Sequence, residues 1–114
     1  MARYTGLFTV AVDVENMPLI LTEMLDYCGC KMVYNRGYYL MASEIPGQVS
    51  VSQLVTIEIT LETANTTTEK KRINLVVQNE ELPFKSDNHC RKIFVLLSRL
   101  IAGNPNWKLL SSIF

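Results

Sequence analysis

Among the 114 residues there is one histidine, and there are three cysteines, four prolines and no net charge. Each shortage excludes something. A hydrolytic triad needs a base beside its nucleophile, so one imidazole permits at most one such site. Eleven basic residues against eleven acidic ones leave no overall field to gather phosphates, which speaks against nucleic acid as a partner. Glycine-rich phosphate cradles are missing as well, both G-x-G-x-x-G and the P-loop pattern. No apolar run approaches the roughly 18 to 20 residues that would span a bilayer, so no membrane partner is expected. The opening MARYTGLFTVAVDVE alternates apolar residues with Thr and Asp, as a strand does and a signal peptide does not. An odd number of cysteines without an export signal predicts reduced thiols and a cytoplasmic setting. In that setting the sequon Asn65-Thr66-Thr67 is simply a polar loop.

What is present is a globular composition, 48% hydrophobic and 19% charged, in a chain of about the size of one domain. Tyr4, Phe8, Val10, Val12 and Val14 share one parity, predicting a half-buried strand over 4–14. Asn16-Met17-Pro18 opens a helix, and Ile20, Leu21, Met24, Leu25 and Cys28 give it an apolar stripe. Gly29 ends that helix. Two β-prone runs, 31–34 and 38–45, flank the turn Asn35-Arg36-Gly37. After Pro46-Gly47, alternation from Val51 to Glu62 predicts the cleanest strand, and 69–78 its partner, with Ile73, Leu75 and Val77 inward. Ser86 or Asp87 caps a second helix that runs to about Ala102 and is stopped by Gly103-Asn104-Pro105.

The order is β-α-β-β-β-β-α, which predicts a single α+β domain over 1–114. One twisted antiparallel sheet of about five strands has both helices on one face, the first strand joins an edge of the meander, and 104–114 is a short apolar tail. This order resembles two architectures, the helix-grip fold of small-ligand binders and the fold of the TATA-binding protein repeat. The likeness is one of topology and transfers no function. The stretches Met41-Ala42-Ser43-Glu44-Ile45-Pro46-Gly47-Gln48-Val49-Ser50, Asn79-Glu80-Glu81-Leu82-Pro83 and Asp87-Asn88-His89-Cys90-Arg91 resemble a family of short cyanobacterial proteins. That family has no assigned activity, and the resemblance implies lineage and a cytoplasmic setting while carrying over no catalytic residue.

Candidate chemistry is sparse. His89 and Cys90 are adjacent at a helix start and point about 100° apart, so a capped helix with a surface histidine and a core cysteine is expected. Cys28 and Cys30 with His89 and Cys90 could supply four zinc ligands, but C-x-C lacks the usual knuckle spacing, and Cys28 falls on an apolar stripe. Neither metal nor cofactor is therefore expected. Glu58 and Glu62, on one wet strand face, and Glu80-Glu81 are the obvious acidic groups. Tyr34, Tyr38 and Tyr39 suit cross-strand packing around the turn. The tail residues Trp107, Leu110, Ile113 and Phe114 are candidate interface residues if the tail does not fold back on its own chain, and Tyr39 is another if it lies on the wet side of the sheet. The leading expectation is a non-enzymatic protein that binds another protein or a second copy of itself. The alternative is a binder of a small apolar ligand, its pocket lined by Phe8, Val10, Leu25, Ile57, Ile59, Phe94 and Leu97.

Overall fold

The structure, a computed structural model, describes residues 1–12, 16–63, 70–84 and 86–114. The chain runs β1 (Ala2–Val12), α1 (Met17–Tyr27), β2 (Cys30–Asn35), β3 (Tyr39–Glu44), a 3₁₀ turn at Val51–Gln53, β4 (Thr56–Thr63), β5 (Lys70–Asn79), α2 (His89–Ala102) and β6 (Trp107–Ile113). One antiparallel sheet takes the order β2-β3-β4-β5-β1-β6. The chain is thus α+β, with six strands rather than about five. The sixth is the predicted tail. Its strand β6 pairs with β1, so β1 joins the β5 edge of the meander, as expected, and then becomes an interior strand.

Alternation decides which side of the sheet is dry. On β1 the residues Phe8, Val10 and Val12 are buried, and Ile73, Leu75 and Val77 on β5, Ile57 and Ile59 on β4, and Leu40 and Ala42 on β3 join them. The helices close this face with Leu21, Met24 and Leu25 from α1 and Cys90, Ile93, Phe94, Leu97 and Ile101 from α2. Among the described residues, the opposite side of the sheet carries no helix.

Local signals account for most element ends. Gly37 has φ 82° and donates its N–H to Asn35 Oδ1 at 2.8 Å, so Asn-Arg-Gly turns β2 into β3 as its composition demands. Gly29, at φ 76°, follows α1 in the left-handed conformation that lets the helix end abruptly. Two expectations are corrected. Val51–Gln53 is a 3₁₀ turn closed by a Ser50/Gln53 capping box, not the start of a strand, and Val51 is exposed rather than inward. The cap of α2 is Asn88, whose Oδ1 accepts from Arg91 N at 2.9 Å, in place of Ser86 or Asp87. Asp87 instead pairs with Lys92. Residues 13–15, the 64–68 loop with its sequon, and Glu69 lie outside the described residues.

Gly6 has a spatial role. A Cβ there would lie 3.1 to 3.2 Å from the rings of Phe8, Phe94 and Phe114. Its bare backbone lets Phe114 meet Phe8 and Phe94 edge-on, at ring distances of 5.6 and 5.8 Å. Trp107, at the other end of β6, is buried and donates Nε1–H to Ile101 O at 2.7 Å. These two anchors hold β6 against its own chain.

Candidate functional site

The most concentrated polar chemistry lies where the N-terminus of α2 meets the ends of β3 and β5. Leu40, Ala42 and Glu44 share the inward parity of β3, as Ile73, Leu75, Val77 and Asn79 share that of β5, so each strand ends by delivering a polar side chain to the dry face. Glu44 is 8% exposed. Both of its carboxylate oxygens lie 2.9 Å from His89 Nε2, and Oε1 also accepts from Val55 N at 3.1 Å. With Glu44 ionised, Nε2 must carry the proton and donate it. His89 is therefore a half-buried partner of Glu44, not the surface histidine expected from its place at a helix start.

A second buried carboxylate stands beside the first. Glu81 Oε1 accepts from Cys90 N at 3.0 Å and from Asn79 Nδ2 at 2.6 Å, while Oε2 accepts from His89 N at 3.2 Å. Asn79 completes the loop, accepting from Glu81 N at 3.0 Å and donating to Gln53 O at 3.0 Å. A negative charge is thus set against the positive end of the α2 dipole, on two N–H groups that the helix cannot satisfy itself. The signal for these residues was present in the sequence: Glu44 and Asn79 are polar at positions where strand parity points into the core. What sequence could not show is that Glu44 meets His89 across 45 positions.

The thiols around this seam belong to the core. Cys90 is buried, with Sγ directed at the carbonyls of Val77 and Ala2. Burial, and after it the charge of Glu81, pushes the Cys90 thiol up to about 12. Cys30, next to Glu44 across the β2–β3 pair, is likewise raised to about 12 by burial and then by the charges of Cys28 and Glu44. Burial alone raises Cys28 to about 11. Protonated thiols of this kind are poor nucleophiles and poor metal ligands near neutral pH. Cys28, Cys30, His89 and Cys90 are not brought together, and among the described residues no group of three or more His, Cys, Asp or Glu side chains could hold a metal ion.

The predicted interface residues separate into two kinds. Trp107 is buried and serves as an anchor, which removes it from any exposed surface. Leu110, Ile113 and Phe114 remain exposed by 44%, 64% and 72% along β6, the last strand in the sheet order. Tyr39 is half-buried on the open side of the sheet, its ring 5.8 Å from that of Tyr34 as expected of a cross-strand pair. Loss of solvent, then the charge of Glu58 and the hydrogen bond to it, holds the Tyr39 hydroxyl above its ordinary pKa. The seven residues expected to line a pocket, Phe8, Val10, Leu25, Ile57, Ile59, Phe94 and Leu97, all belong to the buried cluster. Among the described residues, no helix is long and apolar enough to cross a membrane. No family model and no curated protein matches the chain.

Proposed function

We propose that this chain is a non-enzymatic binding protein whose first partner is a second copy of itself, joined through the outer edge of β6. The observation that carries this reading is the character of that edge. Edge strands are usually guarded by charge, proline or a bulge, because their free N–H and C=O groups template further pairing. In β6 one register shift falls opposite Thr9 and Val10, leaving Leu110 as the extra residue. Beyond it, Ser111 to Phe114 carries no charged side chain and no proline. The only charged residue of β6, Lys108, lies on the other side of the bulge.

Antiparallel pairing about Ser112 places Ser111 of one copy opposite Ile113 of the other and brings Leu110 and Phe114 into the same joint. It also sends the two Lys108 ammonium groups to opposite ends, whereas parallel pairing would set them side by side. The contact is isologous and closes at two copies. The sheet then continues across the joint, by the strand-addition mode of recognition. A small apolar ligand between sheet and helices ranks second, because the seven side chains that would line its pocket fill that space as core.

Native mass spectrometry and light scattering test the proposal. A dimer that Ile113→Lys or Leu110→Lys converts to a folded monomer is the expected outcome. A wild-type chain that stays monomeric at the highest concentration it tolerates overturns it.

A further inference from the structure

The formal net charge of zero conceals a division between the two sides of the sheet. Cross-strand register places Arg3, Lys31, Lys70, Arg72 and Lys108 on the open, helix-free face, all of them exposed. Among the described residues, Glu58 and Glu62 are the acidic groups that oppose them there, Glu62 directly across from Arg72, which leaves a surplus of three positive charges among the described residues of that face. None of the five cations forms an ion pair among the described residues, although Lys92 on α2 does so with Asp87 and Lys71 is bonded to Thr63.

Their placement has a pattern. One register row crosses five strands as Arg3, Gln78, Thr56, Ser43, Lys31, so a cation stands at each end of a polar rail. Four interstrand steps of about 4.8 Å separate those ends by about 19 Å. Arg72 lies opposite Thr9, six residues along β1 from Arg3, or about 20 Å at some 3.4 Å per residue. Inside this frame the half-buried side chains include Leu7, Tyr39, Met41 and Val76. Half-buried Glu58, Thr60 and Asn74 lie among them, so the middle is mixed, with aliphatic patches at Leu7, Met41 and Val76 inside a charged rim, as protein interfaces often show.

We infer that the open face of the sheet is a docking surface for an acidic protein segment, one that presents carboxylates to the cation frame and aliphatic side chains to its centre. The inference rests on the reading of the chain as a binding protein and assigns it a second surface, separate from the β6 edge. A nucleic acid fits the face less well. Glu58 sits in the middle of the frame between Met41 and Val76, where a phosphate backbone would meet a carboxylate and aliphatic carbon. A protein segment with apolar residues flanked by acidic ones meets like with like and opposite with opposite.

The test uses the full chain and a fluorescein-labelled synthetic peptide of glutamate interspersed with leucine and valine, read by anisotropy. The same peptide with lysine for glutamate, and a single-stranded oligonucleotide of equal net charge, are run beside it. Binding of the glutamate peptide, lost on the lysine peptide and weaker for the oligonucleotide, is expected. It should fall roughly tenfold or more in the triple variant Arg3→Glu, Lys31→Glu, Arg72→Glu, and should weaken with salt. Failure of the glutamate peptide to bind, tighter binding of the oligonucleotide, or an affinity untouched by the triple variant overturns the inference. Circular dichroism and native mass of the variant keep the two proposals apart. Peptide binding by a monomer sinks the β6 dimer alone, and a dimer that ignores the peptide sinks the docking face alone.

Discussion

Replacing Glu81 with alanine should cost this protein more than any truncation of an exposed charge. His89 N, Cys90 N and Asn79 Nδ2 all donate to that carboxylate, and the residue is 5% exposed, so water cannot readily take its place. Loss of a helix cap costs about 1 kcal/mol, and a hydrogen bond to a charged acceptor contributes about 1.5 to 3 kcal/mol. These terms overlap, because the carboxylate is both cap and acceptor, so the expected loss is about 3 kcal/mol. Glu81→Gln keeps one oxygen for a backbone N–H but turns an amide toward another donor, and should lose about half as much. Urea unfolding followed by circular dichroism measures both, and for a chain of this size about 3 kcal/mol corresponds to a fall in Tm of about 10 to 15 °C. A loss under about 0.5 kcal/mol for Glu81→Ala would show that Asn88 alone caps α2 and that the Glu81 contacts are incidental.

The neighbouring pair and the thiols yield two more expectations. His89→Ala strands the Glu44 carboxylate and should destabilise by about 3 kcal/mol, whereas the double variant Glu44→Leu, His89→Leu should lose less, because it leaves no unpaired carboxylate at that position; equal losses in urea titrations would contradict this. The three thiols have folded pKa values of about 11, 12 and 12 against 9.0 for the ordinary group, so the unfolded chain releases these protons first. Their contribution to stability is complete below about pH 9 and lost as pH rises through about 11 to 12, so urea midpoints should fall over that window and should fall less in a Cys28→Ala, Cys30→Ala, Cys90→Ala variant.

Much of this was readable from residue order because local rules agreed with the tertiary outcome. Parity on β1, β4 and β5 named the dry face, and the glycines at 29 and 37 stand where the backbone needs a left-handed turn. The sixth strand was hidden by two features. Asn104-Pro105 reads as a helix terminus, and the adjacent Leu109 and Leu110 break alternation because Leu110 is the extra residue of a bulge opposite Thr9 and Val10. Val51 to Gln53 misled for the opposite reason, continuing the parity of β4 by coincidence while a local capping box held the backbone in a turn. In the polar seam, the inward placement of Glu44 and Asn79 could be inferred, but the partner of each depended on how α2 packs. On the open face, total charge concealed what register sorts, since residues far apart in sequence share a surface only after the strands align.

The position of β1 has a consequence for how the chain reaches this structure. Its neighbours on both sides, β5 and β6, are separated from it in sequence by the whole meander, and by α2 as well in the case of β6. The hairpins β2–β3, β3–β4 and β4–β5 close short loops and can form while a nascent chain is still emerging, but Ala2–Val12 must wait for residues 70–79 and then 107–113. Closing such long loops raises the contact order, which places this protein among the slower folders of its size. Until the last strand arrives, the interior strand of the finished sheet is an unguarded edge.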